Sequence, residues 1–337
     1  MDILIIITVI LVVLAILVIP FYSKKMKYEN LIAKAIEAHD KGEDHYKKAL
    51  DYLNQALAIK PNDVSALNNK AVLLQKMGSD YYYEALKLYN RVIELDPKQS
   101  ATYNNKASLL LYVSDDGKDE SKINEAIKAF DKAIELDPDF FDAIHTKAQL
   151  LSTFARYDEA LVVYDDILKR FTFDSGIEKI NEEIGDIYLN KGDLAKTFEY
   201  YDKAFKDMAE AENYLNLKKG AALMHTGMDR YAEAKQYFEK VLAKMPDNIS
   251  TLHNMAMMYM DEGDIENSRV YIERAYEIEP DNVDVLNDMG LIYMNMEETE
   301  ENIDKALEFF NKAYTIEPLE YIKENIQDML DAKNNLR

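Results

Sequence analysis

No cysteine occurs in the 337 residues. Disulfides, cysteine-ligated zinc and iron–sulfur clusters are therefore excluded. The compartment stays open, because a stacked repeat array needs no staples anywhere. Glycine and proline are scarce, at 10 and 7 residues. Strong helix formers take their place, which predicts an all-α protein. Basic residues are in deficit as well. Forty Lys and Arg stand against 62 Asp and Glu, a formal net charge of −22. Phosphate binding needs clustered cations, so nucleic acid is not an expected partner. Basic, neutral or apolar partners are favoured.

Catalytic signatures are missing too. The five histidines, His39, His45, His145, His225 and His253, form no His-x-x-x-His or HExxH spacing, which argues against a zinc enzyme. No P-loop or dinucleotide fingerprint occurs. The acidic stretch SDDGKDE (114–120) lacks the alternating ligand spacing of a calcium loop and reads as a solvated insertion between helices. Carboxylate pairs signify nothing by themselves in so acidic a chain. No catalytic residue, metal site or cofactor is expected.

What is present begins with ILIIITVILVVLAILVI at 3–19, an apolar run broken only by Thr8. Extended through Pro20, Phe21 and Tyr22, it reaches the ~20 residues that a membrane crossing needs. Residues 1–22 are thus expected to form a single transmembrane anchor. A cleaved signal peptide would need a basic leading region and a small-residue cleavage site, and neither is found. Lys24, Lys25 and Lys27 follow the run. Positive flanks stay inside, so the C-terminal part is expected on the cytoplasmic face of the cell membrane.

The rest of the chain repeats itself. EAIKAFDKAIELDP (125–138) has counterparts in EALKLYNRVIELDP (84–97), NSRVYIERAYEIEP (267–280) and KALEFFNKAYTIEP (305–318). Six prolines, Pro61, Pro97, Pro138, Pro246, Pro280 and Pro318, are spaced by 36, 41, 108, 34 and 38 residues. The long gap is three of the shorter periods, the mark of a solenoid. Within EAIKAFDKAIELDP, Ala126, Phe130 and Ala133 share one helix face. The alanines admit a neighbouring helix, the aromatic fills the space between, and the proline stops the helix. Upstream of each such helix lies another amphipathic run, and Gly78, Gly192, Gly227 and Gly263 end those first helices as C-terminal caps.

This helix–turn–helix unit resembles the tetratricopeptide repeat (TPR), whose period is about 34 residues. Residues 247–280 fit the pattern without insertion through Leu252, Ala256, Tyr259, Gly263, Ala275 and Pro280. Residues 281–318 fit through Leu286, Gly290, Tyr293, Ala306, Phe310, Ala313 and Pro318, and 98–138 through Tyr103, Ala107, Leu110, Ala126, Phe130, Ala133 and Pro138. Further copies fall at 139–172, 62–97, 178–211 and 213–246, with a partial first unit at 27–61. Thr172 replaces the closing proline, Thr197 and Ser268 replace a usual alanine, and RFTFDSGIEK near 170–180 breaks phase. The resemblance implies an all-α, right-handed superhelical TPR solenoid of about eight repeats over 23–318. A C-terminal cap helix at 319–337 would follow it, shielding the last repeat as terminal repeats require.

The resemblance also implies a binding groove lined by the first helices, which takes a protein or peptide partner. Its fifth position carries Asn68, Asn104, His145, His253 and Asn287. Asparagine there pairs with a donor and an acceptor of a peptide backbone. Later first helices place Met224, Met257, Met260, Leu291 and Met294 at groove positions, an adaptable apolar patch. Lys76 beside Asn68 is a thin echo of the clamp with which some TPR proteins hold an acidic tail, and too few cations accompany it. The function expected is a membrane-tethered protein-binding scaffold, not an enzyme. The alternative is an assembly factor outside the cytoplasm, for which Asn248-Ile249-Ser250 is the one glycosylation acceptor sequence.

Overall fold

The computed structural model describes residues 19–114, 119–171, 176–206 and 211–336. Residues 1–18, and with them nearly all of the expected anchor, lie outside that range, as do 115–118 of the acidic insertion and 172–175 of the phase break. Among the described residues there is no strand, and no helix is long and apolar enough to cross a membrane.

The chain divides into two compact units, Met1–Phe171 and Thr172–Arg337. Their boundary falls inside the predicted phase break. Among its described residues the first unit holds four helix pairs: α1 (Ile19–Asp40) with α2 (Tyr46–Ile59), α3 (Val64–Lys76) with α4 (Tyr82–Leu95), α5 (Ser100–Tyr112) with α6 (Glu120–Leu136), and α7 (Phe141–Thr153) with α8 (Tyr157–Arg170). The second unit holds four more and a closing helix. They are α9 (Ile177–Asn190) with α10 (Leu194–Phe205), α11 (Ala211–Thr226) with α12 (Tyr231–Lys244), α13 (Ile249–Asp261) with α14 (Ile265–Ile278), α15 (Val283–Met294) with α16 (Glu300–Ile316), and α17 (Glu320–Asn335). The helix α1 runs through residues 22 and 23, where anchor and array were expected to meet.

Each pair closes over a large side chain from its second helix. Tyr89, Phe130, Tyr164, Tyr201, Phe238 and Phe310 are all wholly buried. The first helix meets that ring with a small residue. Ala71 of α3 shares a core with Tyr89, and glycine meets the ring in α9, α11 and α15, where a Cβ on Gly185 would stand 2.6 Å from the Tyr201 ring. Full burial of each aromatic is worth roughly 2–3 kcal/mol. No single pair can cover its own apolar face, so each core is shared with the next pair in its unit.

The turns follow the sequence. Gly263 ends α13 in the left-handed conformation, φ +77°. Its N–H donates to the Met260 carbonyl, and that of Asp264 donates to the Tyr259 carbonyl, closing orphan carbonyls in a Schellman turn. Gly78 takes φ +106° and ψ −174°, a region essentially restricted to glycine. Asp63, Asp119, Asp193, Asn248, Asp264, Asn282 and Thr299 cap helix starts with a side-chain oxygen.

Two contacts recur along the array. A cation on a second helix reaches back to the carbonyl of the preceding proline: Arg274 to Pro246 at 2.9 Å, Lys312 to Pro280 at 2.6 Å, and Arg170 to Pro138. In addition, Lys70, Lys106 and Lys147 occupy equivalent sites on α3, α5 and α7. They pair with Glu84, Glu125 and Asp131 at 2.9, 2.8 and 2.6 Å.

Candidate functional site

The fifth-position side chains lie on first helices, but in different settings. In the first unit, Asn68 Oδ1 accepts a 3.4 Å hydrogen bond from Thr102 Oγ1 on the following first helix. Asn104 Oδ1 is buried with no hydrogen-bond partner among the described residues, so an acceptor is left open on α5. An unmade hydrogen bond of this kind costs about 1–3 kcal/mol. His145 packs into an aromatic group. Its ring centroid lies 5.4 Å from that of Phe141 and 6.2 Å from that of Tyr164, with Phe171 against Phe141.

In the second unit the predicted residues gather on α11, α13 and α15. Met224 packs at the edge of the core formed by Leu223, Ala234, Phe238, Met255 and Met258. Met257 is half-buried. Met260 packs against the Leu252–Ile272–Met289 core, with its sulfur 3.9 Å from Asn295 Nδ2. Leu291 borders the Phe310 core, and Met294 is exposed. Met255 and Met289, on the opposite side of the same helices, are 0% and 4% exposed. The helical period thus splits the methionines into a core set and an outward set.

One predicted groove residue is covered. Asn287 is buried, and Asn325 of α17 donates from Nδ2 to its Oδ1 at 3.1 Å. The closing helix takes the place that a following first helix would occupy, so it shields this position. Asn287, expected at the groove, is held in this polar link to α17.

His253 is tied across the repeat boundary as well. Its Nδ1 pairs with Oδ2 of Asp288, a carboxylate only 4% exposed. The bond to Asp288 raises the imidazole pKa above its ordinary value, against the opposing effect of burial, with Asp284 adding to the rise. An imidazolium here compensates a carboxylate that would be costly to bury alone. Beside this pair, Ser250, His253, Asn254, Asn282 and Asp284 line an open cleft of about 380 Å³ between the starts of α13 and α15.

Sequence reasoning passed over Asp284 and Asp288. A signal was available for the second. Asn68-Asn69 and Asn104-Asn105 stand where α15 has Asn287-Asp288, so a charge had replaced an amide at an inward position. No group of three or more potential metal ligands occurs among the described residues.

Profiles described as tetratricopeptide repeat match residues 129–162, 179–206 and 249–282. The Photosystem I assembly protein Ycf3 of Prochlorococcus marinus strain NATL1A is 40% identical over 20% of this chain and 46% of that protein. The chain therefore spans less than half the length of the curated relatives it matches. Among solved structures, a tetratricopeptide repeat protein from Parabacteroides merdae aligns over 90% of this chain and 99% of its own, with a TM-score of 0.52 and 16% identity. The C-terminal part of a TPR repeat-containing protein from Cytophaga hutchinsonii aligns over 80% and 99%, with a TM-score of 0.54 and 17% identity. Stacked helix pairs, small-against-aromatic cores, profile matches and shared fold together establish that this chain carries tetratricopeptide repeats.

Proposed function

We propose that this chain is a membrane-tethered, non-catalytic scaffold that holds a protein segment on the outward face of its first helices. The observation that carries the reading is the division of the methionines. Met255 and Met289 fill the core, whereas Met257 and Met260 of α13 keep part of their surface open and Met294 of α15 is exposed. Pliable apolar side chains on an accessible face suit a partner that varies in detail.

The tether rests on the sequence of 3–19 and on the lysines that follow it. The lysines favour a cytoplasmic array, by the tendency of positive flanks to stay inside. The name of the Prochlorococcus relative supports a scaffold that serves the assembly of a larger complex. The test uses photo-crosslinking side chains at Asn104 and Met260, with Val162 and Val270, exposed on α8 and α14, as controls. Preferential capture of protein from the two first-helix sites is the expected result. Labelling no stronger than at the controls contradicts the assignment. Deleting 1–22 should release the protein from membranes, and protease access in intact cells reports which side the array occupies.

A further inference from the structure

Charge is distributed unevenly among the first helices. The helices α3, α5, α7, α9 and α11 each carry at least one lysine, whereas α13 and α15 carry neither lysine nor arginine. Where α3, α5 and α7 place Lys70, Lys106 and Lys147, α13 and α15 place Met255 and Met289, buried in the core. The ionisable groups left on these two helices, tyrosines aside, are His253, Asp261, Asp284 and Asp288. His253 and Asp288 satisfy each other. Asp261 accepts from the Tyr231 hydroxyl at 2.6 Å, a neutral donor. Among the described residues, no cation pairs with Asp261 or with Asp284, and both are exposed. Asp284 also lines the 380 Å³ cleft at the starts of α13 and α15. An apolar methionine face and carboxylates with no lysine or arginine partner among the described residues therefore occupy the same pair of helices.

We propose that the face formed by α13 and α15 takes a segment that combines apolar side chains with lysine or arginine, an inference that rests on the scaffold reading above. The apolar side chains lie on Met257, Met260 and Met294. A long basic side chain lays its methylene stem along that surface and carries its charge to Asp284 at the cleft. The bond to the carboxylate is charge-assisted. Apolar contact supplies most of the affinity, and charge supplies selection, because exposed ion pairs are individually weak. The chain's net charge of −22 steers cationic segments toward it and repels acidic ones.

The experiment pans a display library of short random peptides against the full chain in detergent. Enriched sequences are then synthesised and measured by fluorescence polarisation on the wild type, Asp284→Asn, Asp284→Lys and Met260→Asp. Circular dichroism verifies that each variant is folded, and Asp284 is exposed, so its substitution leaves the core intact. The expected binders combine apolar residues with lysine or arginine. Asp284→Asn should weaken them about fivefold. Asp284→Lys should weaken them by about tenfold or more, and added salt should narrow both differences. Enrichment of acidic or uncharged peptides that lose binding on Met260→Asp overturns the basic-segment proposal and leaves the scaffold reading standing. Peptides indifferent to every variant, or no enrichment at all, count against both.

Discussion

Gly290 offers a quantitative test of how the repeats are packed. It sits on α15 against the ring of Phe310, which is wholly buried among Leu286, Ile303, Ala306, Ala313, Ile322 and Met329. A Cβ at Gly290 would stand 2.6 Å from Cδ1 and 2.7 Å from Cζ of that ring. Carbon atoms prefer about 3.5–4.0 Å, so the ring must retreat by roughly 1 Å. Overpacking of this kind costs about 1–3 kcal/mol. Alanine returns about 1 kcal/mol through its better helix propensity. Gly290→Ala should therefore destabilise the α15–α16 pair by about 1 kcal/mol net. The preceding pair shows the compatible alternative, Ala256 with Ile272, both in one core. Adding Phe310→Ile to Gly290→Ala should remove the clash, giving a coupling of about 1 kcal/mol or more in a double-mutant cycle. Repeat arrays open piecewise, so the assay is amide hydrogen exchange resolved to α15 and α16 rather than a global melting curve. Stronger protection in Gly290→Ala, or no coupling with Phe310→Ile, would refute the reasoning.

Other outcomes follow from the same contacts. Ala155 holds φ +55° at the end of α7, where other first helices use glycine; Ala155→Gly should stabilise the first unit by about 0.5–1 kcal/mol, read by urea denaturation. His253 has its pKa raised above the ordinary 6.5 by Asp288. Its contribution is thus fully present below about pH 6.5 and is lost as pH rises through the raised value. Protection in α13 and α15, measured relative to the intrinsic base-catalysed exchange rate, should fall over that interval, and His253→Asn should abolish the fall. Arg274→Ala removes the link to the Pro246 carbonyl. It should raise opening of the α13–α14 pair at a cost of about 0.5 kcal/mol, because the bond is exposed.

Much of the fold was legible because its determinants are local. The closing prolines, the glycines at turns and the small-against-aromatic spacing each act within one repeat, so periodicity displays them directly. The departures at Ser268 and Thr197 became intelligible only in three dimensions. The Ser268 hydroxyl donates to the Ala256 carbonyl at 2.8 Å, and that of Thr197 donates to the Asp193 carbonyl at 2.9 Å, so each buried hydroxyl is satisfied. The site was less legible, because its polar settings depend on partners a full repeat away. His253 meets Asp288 35 residues on, and Asn287 meets Asn325 38 residues on. Repeat position placed Asn287 on the groove, and only the path of α17 shows that it is covered. Conversely, helical period alone separated Met257, Met260 and Met294 from Met255 and Met289, since three and four residues define a face.

That separation is the basis of the functional account, and methionine oxidation measures it directly. Under limited peroxide, Met257, Met260 and Met294 should oxidise faster than Met255, Met258 and Met289, which are 0–4% exposed. A bound apolar, basic peptide should then protect the outward three while leaving Met228 and Met245, exposed elsewhere on the unit, unchanged. Equal oxidation of both sets, or protection that falls on Met228 and Met245 instead, would contradict the claim that the first-helix face is the binding surface.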